Sequence, residues 1–302
     1  MILAPFTLAA LLASASLVDD VRTLAARQDF AAADREVRVY QAQNGATAEL
    51  AAAISFLARG ALEARRESEA DAYAAQTRRI AGALLGTHNL DADPQLSLAI
   101  GAAIEVHAQV LAARGQRSQA VAYLHRESAV FGGTGLMERI QKNINLLGLV
   151  GTPAPPLDEA AWLGLKPSSL SALHGHPVLL FFWAHWCGDC KAEAQVLAQA
   201  ALLYGPKGLV LMGPTKLYGY AAHGDDATPA QEMRYIDLIR RQFYSGIPGM
   251  AVPVSAANFQ AYGASTTPTL VLVDERGVVR YYHPGAVPWA ELSQQIEILL
   301  KR

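Results

Sequence analysis

Val178-Leu179-Leu180-Phe181-Phe182-Trp183-Ala184-His185-Trp186-Cys187-Gly188-Asp189-Cys190-Lys191-Ala192-Glu193-Ala194-Gln195-Val196-Leu197 passes from an unbroken apolar run, through two cysteines, into a helix-like segment. The apolar run reads as a buried strand and the continuation as a helix, so the cysteines stand where one hands over to the other. A thiol at a helix N-terminus faces unpaired backbone N–H groups and the positive end of the macrodipole, and both stabilise a nucleophilic thiolate. Two intervening residues let the second sulfur reach the first. Such a pair can cycle between dithiol and disulfide with no bound cofactor.

Outward from this stretch, residues 159–302 alternate between strand and helix patterns. Strands are expected at 177–183, 208–212, 269–273 and 278–283, and helices at 187–204, around 229–243 and at 288–301. The alternation implies an α/β sheet covered on both faces. Asp274-Glu275-Arg276-Gly277 reads as the turn of a hairpin between the last two strands. Upstream, Gly151-Thr152-Pro153-Ala154-Pro155-Pro156 marks a Pro-rich linker over 151–158, expected to be extended and poor in hydrogen bonds. The domain boundary is placed there, which predicts that residues 150–302 fold alone.

Residues 16–150 are alanine-rich and read as an all-helical domain. Three stretches resemble one another, beginning at Leu24-Ala25-Ala26-Arg27, Leu62-Glu63-Ala64-Arg65 and Leu111-Ala112-Ala113-Arg114. Each reads as the turn of a helical hairpin, similar to tetratricopeptide repeats but irregular in spacing and without their Pro and Trp markers. An Ala-rich bundle and a repeat array with a peptide-binding groove both fit.

The 302 residues carry 52% hydrophobic and 17% charged side chains and a formal net charge of −2, so no basic excess points to nucleic acid. Residues 1–18 lack any charged side chain, and the apolar run closes on Ala13-Ser14-Ala15, a small-x-small pattern. Residues 1–15 therefore read as an export signal, with a first helix as the other reading. The segment is shorter than the about 20 apolar residues needed to cross a bilayer, and no other stretch reads as transmembrane. Confining both cysteines to the site suits an oxidising, periplasmic or otherwise extracytoplasmic compartment.

The aromatic-flanked Phe182-Trp183-Ala184-His185-Trp186-Cys187-Gly188-Asp189-Cys190-Lys191, the later Thr267-Pro268-Thr269-Leu270-Val271 and the closing Gly277-Val278-Val279-Arg280-Tyr281-Tyr282-His283-Pro284-Gly285 together resemble the thioredoxin-fold thiol–disulfide oxidoreductases. Within them, the resemblance is to the TlpA-like and ResA-like branch of the redoxin superfamily, over residues from about 153 to 302. It implies a thioredoxin-like fold, with Cys187 as attacking thiol, Cys190 as resolving thiol and Pro268 as a cis-proline facing the disulfide. An X–Pro bond disfavours cis by only about 0.5–1 kcal/mol, which suits a close approach of backbone to sulfur. Thr267, and Trp186 beside the motif, would meet the substrate. Cytosolic thioredoxins bury an acid where this chain has Phe181, so no proton acceptor comes from the strand. Glu193, three residues after Cys190 and so on the same helix face, is the candidate replacement, as in ResA-like proteins. It is equally an ordinary first-turn acid favoured by the macrodipole. TlpA-like proteins also carry an insert where this chain has residues 213–254, rich in tyrosine.

The expected activity is reduction of protein disulfides, drawing on an unidentified electron donor and needing no cofactor and no metal. A structural zinc site would want four ligands, and only one Cys-x-x-Cys is present. A peroxidase of the superfamily would carry threonine where this chain has Ala184. A non-catalytic interaction module built on the helical domain would need neither sulfur. Asp189 opposes thiolate formation while Lys191 and the helix dipole favour it, so the couple is expected nearer the roughly −270 mV of thioredoxin than the roughly −120 mV of strongly oxidising relatives.

Overall fold

The computed structural model describes residues 16–301, and the expected export signal at 1–15 lies outside them. The chain divides into two compact units, one ending at Ala113 and the other starting at Arg114.

The first unit is helical: α1 (Leu17–Ala26), α2 (Phe30–Asn44), α3 (Ala48–Glu63), α4 (Glu67–Leu84) and α5 (Pro94–Ala113). Side-chain oxygens of Ser16, Asp29 and Thr47 accept the backbone N–H groups of Asp19, Ala32 and Leu50, capping the first three helices. Helix α3 buries Leu50, Ala51, Ala52, Ala53, Ile54, Leu57, Ala58 and Ala61, and packs against α1, α4 and α5. Small side chains make this crowding possible. The expected turns fall at 27–29 and 64–66 within this unit, each with one left-handed residue, Gln28 (φ 60°) and Arg65 (φ 58°). The third lies at 114–116, where the two units divide, and Gly115 adopts φ 78° there. Although no stretch reads as transmembrane in the sequence, α5 is 20 residues long and apolar enough to cross a membrane, with 56% of that window buried within the protein.

The second unit opens with α6 (Arg117–Val130) and α7 (Leu136–Gly148), which the sequence assigns to the helical domain. Then come β1 (Trp162–Gly164), β2 (Val178–Phe182), α8 (Gly188–Tyr204), β3 (Val210–Met212), α9 (Pro229–Phe243), β4 (Ala251–Pro253), α10 (Ala256–Tyr262), β5 (Thr269–Val273), β6 (Val279–Pro284) and α11 (Trp289–Leu300). The sheet order is β1-β4-β3-β2-β5-β6, with β2, β3 and β4 parallel and the other pairings antiparallel. All five residues of the central β2 are buried. Leu179, Phe181 and Trp183 join one core with Leu197, Ile236 and Ile296, while Val178, Leu180 and Phe182 join another with Phe259, Tyr262 and Val271. The sheet is thus covered on both faces, as its unbroken apolar strand requires. Strands β1 and β4, at 3 residues each, and α10, at 7, are too short to show a periodicity in the sequence.

The Pro-rich stretch runs inside the second unit and is not poor in hydrogen bonds. Gly151 and Ala154 donate their N–H groups to the carbonyls of Val279 and Gly277 at 2.8 Å each, and Thr152 accepts from Val279 at 2.9 Å. Helix α7, N-terminal to it, packs on α10 and β6. A Cβ at Gly263, which ends α10 with φ 57°, would collide with the backbone of Lys142 on α7.

Tyr244, just past α9, packs edge-on against Trp183 (4.8 Å between ring centres) and Phe181 (5.6 Å). Its hydroxyl is buried with no hydrogen-bond partner among the described residues. An unpaired buried hydroxyl costs about 1–3 kcal/mol, so Tyr244→Phe is expected to raise unfolding stability by about 1 kcal/mol in a urea titration. A loss of stability would mean that the hydroxyl is satisfied.

Candidate active site

Cys187 is the N-cap of α8, in extended backbone, and its Sγ accepts the N–H of Cys190 at 3.0 Å. The sulfur therefore occupies the place a serine or aspartate oxygen fills at ordinary helix starts. Cys187 and Cys190 are joined in a disulfide and buried, with Cys187 4% exposed and Cys190 fully enclosed. Their neighbours Trp186, Gly188 and Asp189 are exposed, so the pair lies just beneath the surface, with Cys187 the less enclosed of the two. The Thr267–Pro268 peptide is cis, and the Thr267 carbonyl oxygen lies 3.5 Å from Cys187 Sγ. That brings the Thr-Pro pair at the start of β5 to the cysteine motif at the end of β2, which it neighbours in the sheet.

Glu193 is buried in the second turn of α8, and one carboxylate oxygen accepts the N–H of Val287 at 3.2 Å. Burial pushes its pKa up, against the Val287 hydrogen bond and with a smaller contribution from the negative charge of Asp189. A solvated first-turn acid would show neither the burial nor the shift. Phe181 fills the corresponding place on the strand and is buried in the core.

The segment carrying Cys187 is a tight turn, closed by the Cys187 N–H on the Ala184 carbonyl at 3.1 Å. Its two central side chains go opposite ways. Trp186 is 49% exposed and meets the Tyr218 ring edge-on at 5.5 Å. His185 is fully buried, with Nε2 3.1 Å from Glu232 Oε1. The same carboxylate accepts the backbone N–H groups of Tyr218 (2.6 Å) and Gly219 (2.8 Å). Three rings stand edge-on around the imidazole, Tyr218 at 5.6 Å, Tyr220 at 5.3 Å and Tyr235 at 5.4 Å. Burial pushes the His185 pKa down and outweighs the opposing pull of Glu232, so the ring is neutral at neutral pH and gives Cys187 no cationic support. Sequence reasoning missed this pairing because Glu232 lies 47 residues away in the chain. Only the density of tyrosines in the insert hinted that it encloses something.

Residues 169–299 match the model of a thioredoxin-like domain family. The thiol:disulfide interchange protein DsbE of Vibrio cholerae is 33% identical over 142 residues, covering 46% of this chain and 67% of that protein. The DsbE of Xylella fastidiosa is 31% identical over 154 residues, covering 49% of this chain and 65% of its own length. The match to this second relative thus spans less than two thirds of its length. A crystallised thiol:disulfide interchange protein of the thioredoxin family from Chlorobium tepidum is 20% identical, covers 50% of this chain and 97% of its own, and superposes with a TM-score of 0.37.

Proposed function

The chain belongs to the thioredoxin-fold thiol–disulfide oxidoreductases, and on that premise we propose that it reduces protein disulfides through a Cys187/Cys190 dithiol–disulfide cycle. The observation that carries this reading is the N-cap sulfur of Cys187, which receives a backbone N–H at 3.0 Å beside the Thr267 carbonyl. In the forward step the Cys187 thiolate attacks one sulfur of a substrate disulfide. That S–S bond breaks, a mixed disulfide forms, and the first substrate thiolate leaves and takes a proton. Cys190 then attacks Cys187 Sγ and displaces the second substrate thiolate. Two electrons pass to the substrate and the Cys187–Cys190 disulfide remains. Thr267, Pro268 and half-exposed Trp186 form the surface that receives the substrate.

Glu193 takes the proton that Cys190 loses in the resolving step. Its raised pKa brings proton exchange nearer to neutral pH than an exposed glutamate allows. Asp189, exposed in the first turn of α8, opposes the Cys187 thiolate and supports reduction as the direction. An extracytoplasmic location, with a donor that recharges the pair, is part of the same proposal. It is supported by the uncharged apolar start of the chain and by the absence of any cysteine outside the site.

The test is reduction of a model protein disulfide by the prereduced protein, with thiols counted and the pair equilibrated against glutathione. One Cys187–Cys190 disulfide formed per substrate disulfide reduced is the expected result. Failure to consume the two thiols would overturn the proposal. In Glu193→Gln, decay of the mixed disulfide should slow by about 10²-fold, the usual scale of general acid–base assistance. The sign of the stability effect follows from the raised folded pKa. Native protein keeps a proton that unfolded chains have lost, so stability falls as pH rises through the window between the ordinary glutamate value and the raised one. The Glu193→Gln variant, which cannot titrate there, should flatten that fall in thermal unfolding curves.

A further inference from the structure

We propose that His185 and Glu232 are positioning residues for Cys187: the insert over residues 213–254 grips the Ala184–Cys187 turn through their hydrogen bond and so holds the cysteine at the helix start. This inference rests on the redox role of Cys187 and names a part of the chain that the reaction itself does not touch.

Both central side chains of the turn meet the insert. His185 is held by Glu232 at 3.1 Å within a wall of three tyrosines, and Trp186 lies against Tyr218, one of the same three. Because the Glu232 carboxylate offers acceptors only, the imidazole proton sits on Nε2. Glu232 in turn ties down the loop by accepting from the N–H groups of Tyr218 and Gly219. Thr215 adds a further tie, donating its hydroxyl to the Trp183 carbonyl at 2.8 Å. A turn clamped this way keeps Cys187 Sγ on the Cys190 N–H at 3.0 Å. That contact stabilises a thiolate, so loosening the turn weakens the reduced form relative to the disulfide. Burial of both partners, each 1% exposed, makes the bond specific, because without Glu232 the imidazole Nε2 would be left buried and unpaired.

Two variants with opposite reach test this in the whole chain. His185→Gln places an amide N–H near the position of Nε2 and retains the bond to Glu232, whereas His185→Asn is one methylene too short. Glu232→Asp withdraws the carboxylate from the same bond from the other side. Ile236→Val, on the buried face of α9, serves as a control for general loosening of the insert. Each protein is first shown to be folded by thermal unfolding, then reduced, reacted with iodoacetamide at pH 7, and equilibrated with glutathione.

His185→Asn and Glu232→Asp are expected to slow alkylation of Cys187 at least fivefold and to shift the glutathione equilibrium at least fivefold toward the protein disulfide. His185→Gln and Ile236→Val should stay within twofold of wild type. The inference is overturned if His185→Asn behaves as wild type, or if His185→Gln is as impaired as His185→Asn. If one of the shortened variants does not fold, the other decides alone, and failure of both to fold would make the pair a stability element and sink the positioning role. A wild-type pair that does not exchange with glutathione at all would instead count against the redox reading, so the two failures are distinguishable.

Discussion

Replacing Cys190 with serine should leave a stable mixed disulfide on almost every chain that meets a substrate disulfide, whereas replacing Cys187 should leave none. Cys187 is at the edge of the site, with its sulfur on the Cys190 N–H at the start of α8, while Cys190 is fully enclosed one turn further on. An incoming disulfide therefore meets Cys187 first. Once Cys187 has attacked, release depends on Cys190, and a serine hydroxyl is far too weak a nucleophile toward sulfur to replace it. Mass spectrometry of the Cys190→Ser protein incubated with an oxidised peptide should find adducts on Cys187 approaching one per chain. Catalytic turnover should fall to the uncatalysed background in both variants. Adducts on the Cys187→Ser protein alone would reverse the assignment of attacking and resolving thiols.

The second large effect concerns where the redox unit begins. A fragment starting at residue 150 lacks α7, whose Leu136, Ile140 and Ile144 are buried, and removing it strips cover from α10 and β6. Three such side chains stabilise by roughly 1.5–3 kcal/mol each, about 5 kcal/mol or more together, against a typical domain stability of about 5–15 kcal/mol. Residues 114–302 are therefore expected to fold cooperatively in a urea titration, and residues 150–302 to be largely unfolded or strongly destabilised. Gly263→Ala probes the same contact in one atom. The added Cβ would run into the Lys142 backbone and lie 2.6 Å from the Gln141 carbonyl carbon, at a residue with φ 57°, and nothing there is a flexible side-chain end that could yield. The variant of the longer fragment should lose about 3 kcal/mol. If the shorter fragment melts as the longer one does, α7 is an accessory and the boundary belongs at the Pro-rich stretch after all.

These expectations mark the division between local and distant information in this chain. The run from Val178 to Leu197 announces strand, cysteine pair and helix because each signal is contained within a few neighbouring residues. An all-apolar strand admits only a doubly covered position, and a Cys at a strand-to-helix junction admits only a place near unpaired N–H groups. Thr267-Pro268 could be matched to the site by its resemblance to known redox motifs, and strand β5 does pair beside β2. The helical hairpin turns were legible as well, since each repeats the same small-residue and arginine pattern.

What the chain could not announce is which distant groups complete these local units. Glu232 becomes the partner of His185 only when the loop after β3 and helix α9 fold over the end of β2. A glutamate in the first turn of α9 looks like any other helix-start acid until the fold buries it. The state of His185 follows the same logic, because burial, which a sequence does not state, decides that the ring stays neutral. Helices α6 and α7 read as part of an Ala-rich helical domain, yet α7 is drawn to the sheet unit by α10 and by the absence of a side chain at Gly263. The Pro-rich stretch looked like a free connector because prolines lack N–H groups, but the N–H groups of Gly151 and Ala154 beside them find carbonyls on and beside β6. Local pattern determined the chemistry this chain carries; long-range packing decided how that chemistry is held, since burial and pairing are properties of residues that meet only in the folded state.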